Sequence, residues 1–261
     1  MSLVMPKEYV SVTTQIGCPC ACMKYCPQEV LVKRYKSPVK TLTLANFERM
    51  LKNIPNDIPV VFSGFCEPFA NTDVVELIEA SVRSGHQIGL LTTLYGATRS
   101  QVDRILKLKP SWVCLHLPDG EALSIPMSQE YKDNFFKVVT TVRNLSTMQM
   151  NDTFKTNNRE NVTRGIKPAP KPIGICTDDN IEHPHPILMP NGDVYFCCMD
   201  MKLEHKVGNL LEEDWSTIRK RIREGRFSLC QFCSWNRPRV YEFYDRLVMM
   251  PRRTVQRLRK K

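Results

Sequence analysis

The sequence has no long apolar run: no stretch approaches about 18 uninterrupted hydrophobic residues, which excludes an ordinary membrane-spanning helix. Nor does its start, Met1 to Glu8, carry a basic region followed by an apolar segment, so a cytosolic location is expected. Repeats and low-complexity tracts are missing too, which leaves 261 residues able to bury one substantial core plus a small second module. Acidic residues are absent from Pro251 onward, where Arg252, Arg253, Arg257, Arg259, Lys260 and Lys261 give a basic tail to a chain of net charge +10. A second basic run spans Arg219 to Arg226. Such runs can meet nucleic acid, an anionic membrane or a phosphorylated substrate. No stacking aromatics interleave with the tail, so it reads as a solvated helix end and nucleic acid is not the expected partner.

Cysteine is what the chain has in excess, with eleven residues. Disulfides do not persist in a reducing compartment, so metal binding is the leading explanation. Their placement agrees: Cys18, Cys20, Cys22 and Cys26 crowd one loop, and Cys176, Cys197, Cys198, Cys230 and Cys233 fall in the last third. Only Cys66 and Cys114 lie between, and Cys114, inside a Trp-Val-Cys-Leu strand, reads as core.

From Tyr9 to Met150 short β-like runs alternate with helical patterns, the signature of a parallel sheet built from βα units. Strands are expected at Tyr9 to Gln15, Pro59 to Ser63, Gln87 to Thr92, Trp112 to Leu117 and Thr147 to Met150. Helical spacing links Phe47, Met50, Leu51 and Ile54, then Val74 to Val82, then Val102, Ile105 and Leu106, and finally Tyr131, Phe135, Val138, Val139 and Val142. Asn71, Thr72 or Asp73 can cap the second of these, and Gly85 can end it. Five βα steps are too few for a closed eight-stranded barrel, so an open, partial β/α barrel is expected, with its chemistry at the C-terminal ends of the strands. The Cys18–Cys26 loop follows strand one and Gly64-Phe65-Cys66-Glu67-Pro68 follows strand two, both on that face. His116, at the end of strand four, is the candidate catalytic side chain on the same ground. The boundaries expected are a core over 1–151, a polar linker over 152–175, a cysteine-rich module over 176–238 and a basic helix over 239–261. Within the module, Ile187 to Met189 and Val194 to Phe196 read as a hairpin turned by Asn191-Gly192, followed by a helix from about Glu213 to Glu224.

Several thiolates on one short loop suit a four-iron four-sulfur cluster, whose irons need soft ligands converging at close quarters. A zinc knuckle is the alternative. It usually draws on two Cys-x2-Cys units, however, and only Cys230-Gln231-Phe232-Cys233 is present. The tract from Tyr9 to Gly96 resembles the core of the radical S-adenosylmethionine (radical SAM) superfamily. It has a strand, a cysteine loop ending in Tyr25-Cys26-Pro27, a helix, Gly64-Phe65-Cys66-Glu67-Pro68, and a third strand ending in Thr92-Thr93. The resemblance implies Cys18, Cys22 and Cys26 as ligands of a 4Fe-4S cluster whose fourth iron chelates S-adenosylmethionine. It further implies Tyr25 at the adenine, the backbone of Gly64, Phe65, Cys66 and Glu67 at the methionine amino group, and Thr92 or Thr93 on the ribose side. Two departures stand out: Cys18, Cys22 and Cys26 are spaced Cys-x3-Cys-x3-Cys where the family has Cys-x3-Cys-x2-Cys, and Cys66 stands where relatives usually carry glycine. Spacing alone lets Cys20 replace a neighbour; the family spacing makes it the spare thiol, turned to the other side of the loop.

Cys176, fifteen residues, Gly192, four residues and Cys197, followed by Cys230 and Cys233, resemble the front of a SPASM domain in its shorter twitch form. That implies a second 4Fe-4S cluster held by Cys176, Cys197, Cys230 and Cys233, with Cys198 as the alternative to Cys197. His183 and His185 are read as members of a proline-packed loop rather than ligands. The resemblances imply an enzyme that cleaves S-adenosylmethionine to a 5′-deoxyadenosyl radical and oxidises a small sugar-like or cyclitol-like substrate. An electron donor such as flavodoxin or ferredoxin is implied with it. The alternatives are a peptide-modifying maturase and a non-catalytic iron-sulfur protein that binds nucleic acid.

Overall fold

The computed structural model describes residues 8–20, 26–117, 128, 139, 141–144, 175–176, 184–233 and 236–237. Five strands, β1 (Val10–Val12), β2 (Val60–Phe62), β3 (Ile88–Thr92), β4 (Trp112–Leu117) and β5 (Thr141–Asn144), pair in parallel, each with the next. Alternation decides what each face does. Val10, Val12, Val60, Phe62, Ile88 and Leu90 are buried in one core with Phe47, Met50, Leu77, Ile78, Val102 and Ile105 of three helices. Those helices are α2 (Leu44–Leu51), α3 (Val74–Arg83) and α4 (Arg99–Lys107). Thr43 caps α2 by accepting from the Asn46 N–H, and Thr98 with Gln101 closes a reciprocal capping box on α4. A short α1 (Gln28–Arg34) follows the cysteine loop.

On the opposite, inner face the register aligns Ser11, Val61, Gly89 and Trp112 in one layer. Tyr9 stacks on His185 at 4.2 Å and tilts toward Trp112 at 6.4 Å. All three side chains stand at or just before the first residue of a parallel strand and are buried, so they close the N-terminal end of the inner face. The opposite end is where the loops carrying chemistry converge.

The strands of the C-terminal third join this sheet. β6 (Ile175–Cys176) pairs antiparallel with β10 (Asn236–Arg237) in a separate two-stranded sheet. β7 (Ile187–Leu188), however, lies parallel to β1, and β8 (Asp193–Tyr195) and β9 (Lys206–Asn209) follow antiparallel, giving the order β5-β4-β3-β2-β1-β7-β8-β9. The expected hairpin forms, with Gly192 at φ +87° in its turn. α5 (Trp215–Glu224) packs on β9 through Ile218, which lies against Gly208. Its basic run is partly neutralised: Arg219 and Arg223 meet Glu8, and Arg221 meets Glu213.

Some expectations need correction. The fifth strand is Thr141–Asn144, so Val142, expected on a helix, is a strand residue pairing with Leu115; β-branched Thr141 and Val142 fit a pleated edge as well as a helix. The expected strand at Thr147 to Met150 lies outside the described residues, as do the helix residues before Val139, the linker over 152–174 and the basic tail.

Candidate functional site

Strand ends and their loops build the site. After β1, the Thr13 hydroxyl accepts the Phe65 N–H at 3.0 Å, and the Thr14 hydroxyl donates to the Pro68 carbonyl at 3.1 Å. Asn71, fully buried, donates to the carbonyls of Thr14 and Leu42. The turn after β2 is thereby fixed to the end of β1. It passes so close that a Cβ on Gly64, at φ +52°, would lie 2.3 Å from the Thr13 hydroxyl, which only glycine escapes.

Glu67 ties this turn to the end of β3. Its buried carboxylate accepts the Thr92 hydroxyl, the Thr93 N–H at 2.7 Å, the Thr93 hydroxyl at 2.8 Å and the Phe69 N–H at 3.4 Å. Burial raises the Glu67 pKa while these donors oppose the rise. The Glu67 N–H in turn donates to the Cys18 sulfur at 3.3 Å. Two more thiols stand against Cys18. Cys20 and Cys66 hydrogen-bond to it, which holds Cys18 well below the ordinary thiol range and, with burial, pushes both donors up. Cys20 also meets the Thr93 hydroxyl at 3.4 Å, and Gln28 bridges the Cys26 sulfur at 3.5 Å to the Phe65 carbonyl at 2.6 Å.

A second sulfur group gathers at the other end of the chain. Cys197 is buried, and the adjacent Cys198 thiol, burial and Cys176 all push its pKa up. The antiparallel pairing of Cys176 with Asn236 brings the segment just after Cys233 to that cysteine. Cys198, Cys230 and Cys233 pack on the same apolar cluster as Cys197. A 3-10 turn over Ser228–Phe232 carries Cys230. The turn is strapped to the Cys197 segment by His205, which lies 3.0 Å from the Ser228 hydroxyl and 3.3 Å from Asp200. Phe196 stacks on Phe227 at 3.7 Å across the same gap.

Residues 180–240 match the SPASM family, described as an iron-sulfur cluster-binding domain. In overall architecture the chain is similar to BtrN in complex with AdoMet and 2-DOIA, with a TM-score of 0.64, 16% identity, and 87% of this chain and 92% of BtrN covered. It is also similar to selenomethionine BtrN in an open conformation, with a TM-score of 0.58, 14% identity, and 89% and 96% covered. The chain therefore has the fold of BtrN and carries a SPASM-type segment over residues 180–240. A comparison with curated protein sequences finds no significant match.

The donor chemistry suits iron-sulfur clusters: both groups are sulfur-rich, converge from separate segments and stand half-buried or buried. Among the described residues, no three Cys, His, Asp or Glu side chains close around a single metal ion. Of the residues singled out from sequence, Cys18, Cys26, Gly64, Phe65, Cys66, Glu67, Thr92 and Thr93 come together at the C-terminal strand ends. Cys22 and Tyr25 lie outside the described residues. Cys20 departs from expectation, since its thiol is turned in against Cys18 and Thr93 rather than to the other side of the loop. Thr92 is buried with its hydroxyl committed to Glu67, so its place in the site is structural. His116 is half-buried on β4, in step with Leu91 and Cys114 on the inner face. Nothing in the sequence marks Thr13, Gln28, Asp200 or His205 as site residues. Asn71 shows in the sequence only as a helix cap, and isolated polar residues give no periodic signal.

Proposed function

We propose that this protein is a radical SAM enzyme that binds S-adenosylmethionine and two 4Fe-4S clusters and oxidises a small hydroxylated, sugar-like or cyclitol-like substrate. The observation that carries the reading is the single knot in which Glu67 joins the turn after β2 to Thr93 and, through its N–H, to Cys18. A binding module has no need of such a knot at the strand ends. When bound, the N-terminal cluster with S-adenosylmethionine supplies a 5′-deoxyadenosyl radical that takes hydrogen from carbon, and a fully ligated auxiliary cluster supplies a one-electron acceptor.

The chain's own residues hold and orient. Cys18, Cys22 and Cys26 ligate the first cluster, and Cys176, Cys197, Cys230 and Cys233 the second. Tyr25 meets the adenine, and the backbone from Gly64 to Glu67 meets the methionine end. Thr93 faces the ribose, while Glu67 acts through the turn it fixes. Ser11, Ser63 and His116 line the inner face beneath, where the His116 imidazole accepts a substrate hydroxyl proton. Tyr9, Trp112 and His185 keep water out from below. The BtrN complex, with AdoMet and 2-DOIA bound, supports a small-molecule substrate. An electron donor such as flavodoxin or ferredoxin completes the system, which belongs in the cytoplasm; no described helix is long and apolar enough to cross a membrane.

Anaerobically reconstituted protein is expected to hold about eight irons per chain. Replacing Cys18, Cys22 and Cys26 together by alanine should leave about half of them and abolish deoxyadenosine production. Iron that stays near four in both proteins sinks the two-cluster reading.

A further inference from the structure

The outer face of α1 carries more positive charge and more exposed apolar surface than the fold requires. Its inner face is accounted for: Leu31 and Tyr35 are buried in an apolar cluster with Ile16, Phe65 and Met201, and Cys26 packs against the same cluster. On the outside Val32 is 45% exposed, and Lys33, Arg34, Lys36 and Lys40 stand exposed on the same helix and the segment that follows it. Two of the ammonium groups are held in place. Lys36 donates to the Lys33 carbonyl at 2.7 Å, and Lys40 donates to the Tyr35 carbonyl at 3.1 Å while lying 4.5 Å from the centre of the Tyr35 ring. Cations at a helix C-terminus complement its dipole, but that effect leaves the exposed Val32 without a role. Only Arg34 of this group has a carboxylate, Glu204 at 3.7 Å; among the described residues Lys33, Lys36 and Lys40 have no ion pair. On α5, by contrast, Arg219, Arg221 and Arg223 all meet glutamates.

We infer that this face of α1 docks a small acidic one-electron carrier protein, which delivers its electron to the N-terminal cluster. This rests on the two-cluster reading. α1 starts at Gln28, two residues after Cys26, and its buried side packs with that half-buried cysteine. A carrier on the outer side is then separated from Cys26 by the thickness of one helix, about 10 Å. The lysines steer an acidic partner during its approach, and Val32 gives the docked pair an apolar contact from which water is displaced. Nucleic acid would meet the same charge, yet the aromatic side chain among these lysines, Tyr35, is buried and offers no face for a base to stack on. One electron leaves the carrier and one enters the cluster, and no bond forms or breaks.

Flavodoxin is the probe, used with full-length, anaerobically reconstituted protein in four forms: unaltered, Lys33→Glu with Lys36→Glu, Lys33→Gln with Lys36→Gln, and Lys220→Glu with Arg226→Glu on α5 as a control of equal charge change. Reduction of the N-terminal cluster by flavodoxin hydroquinone is followed by stopped flow, with the signal of the Cys18, Cys22, Cys26 triple alanine variant subtracted. At low salt the rate should fall about tenfold or more in the glutamate pair, by less in the glutamine pair, and by less than about twofold in the α5 control. Added salt should bring the unaltered protein down toward the glutamate pair. Dithionite needs no docking surface and should reduce all four alike. Oxidised flavodoxin, titrated calorimetrically, should bind more weakly in the same order. A glutamate pair within about twofold of the unaltered rate, or a fall matched by the α5 control, overturns the assignment. If the glutamate pair also slows with dithionite, its fold is disturbed and the glutamine pair decides, an unchanged flavodoxin rate there counting against the surface. A triple alanine variant that loses no iron overturns the two-cluster reading instead, and the calorimetric titration, which needs no cluster, still decides the docking face.

Discussion

Glu67 carries a buried carboxylate on which donors from Thr92, Thr93 and Phe69 converge, and its pKa is raised by burial despite them. A carboxyl whose folded pKa lies above its unfolded value adds stability below the ordinary glutamate range, and that contribution is lost as pH rises through the folded value. Glu67→Gln should therefore flatten this part of the stability profile. Urea unfolding of both proteins between acid and neutral pH checks it, and parallel profiles would contradict it. Gly64 offers a second residue-scale test. Alanine there meets a positive φ and a Thr13 contact at 2.3 Å. It should cost about 2 kcal/mol or more. A thermal midpoint lowered by about 5 °C or more is the expected readout, with weaker S-adenosylmethionine binding because the turn moves.

Between elements, Asn71 does what no strand or helix does: its amide spans the Thr14 and Leu42 carbonyls and holds the cysteine loop's base to the end of the β2 turn. Asn71→Ala should cost about 2–3 kcal/mol by orphaning two buried acceptors, and should slow cluster reconstitution measured as iron retained after desalting. Contacts of this kind are what the sequence did not disclose. Val74 to Val82 and Phe47 to Ile54 announced their helices because apolar residues recurred at helical spacing, and Asn191-Gly192 announced its hairpin through turn chemistry. The cysteine loop and the Glu67 turn were legible because their residue types are chemically costly anywhere else. Thr141–Asn144 is not legible as a strand because a four-residue tract carries no periodicity to separate strand from helix. The inward turn of Cys20 is not legible because spacing fixes order along a loop and leaves the direction of each thiol to its neighbours, here Cys18 and Thr93.

At the scale of the molecule, the sheet makes the cysteine-rich segment and the β/α core mechanically one. β7 hydrogen-bonds along β1, and Asn53 at the end of α2 holds the Leu210 carbonyl at 2.8 Å and the Trp215 N–H at 2.9 Å. Trp112 and Trp215 are buried on opposite sides of that junction. Variants retaining only Trp112 or only Trp215, with Trp235 replaced in both, should unfold in urea with the same midpoint, because no sheet boundary separates them. Two resolved transitions would show that the strand pairing does not couple the halves.

The layer at the closed end of the inner face has a consequence for how relatives of this chain can diverge. A Cβ on Gly89 would fall 2.2 Å from the Trp112 ring, which lies over it as a flat lid. Neither position can then drift by itself: a lineage that acquires any side chain at 89 must already carry, or at once acquire, a smaller residue at 112. The two sites behave as one inherited character, and in a double-mutant cycle the penalty of Gly89→Ala should largely disappear once Trp112 has been cut back to leucine.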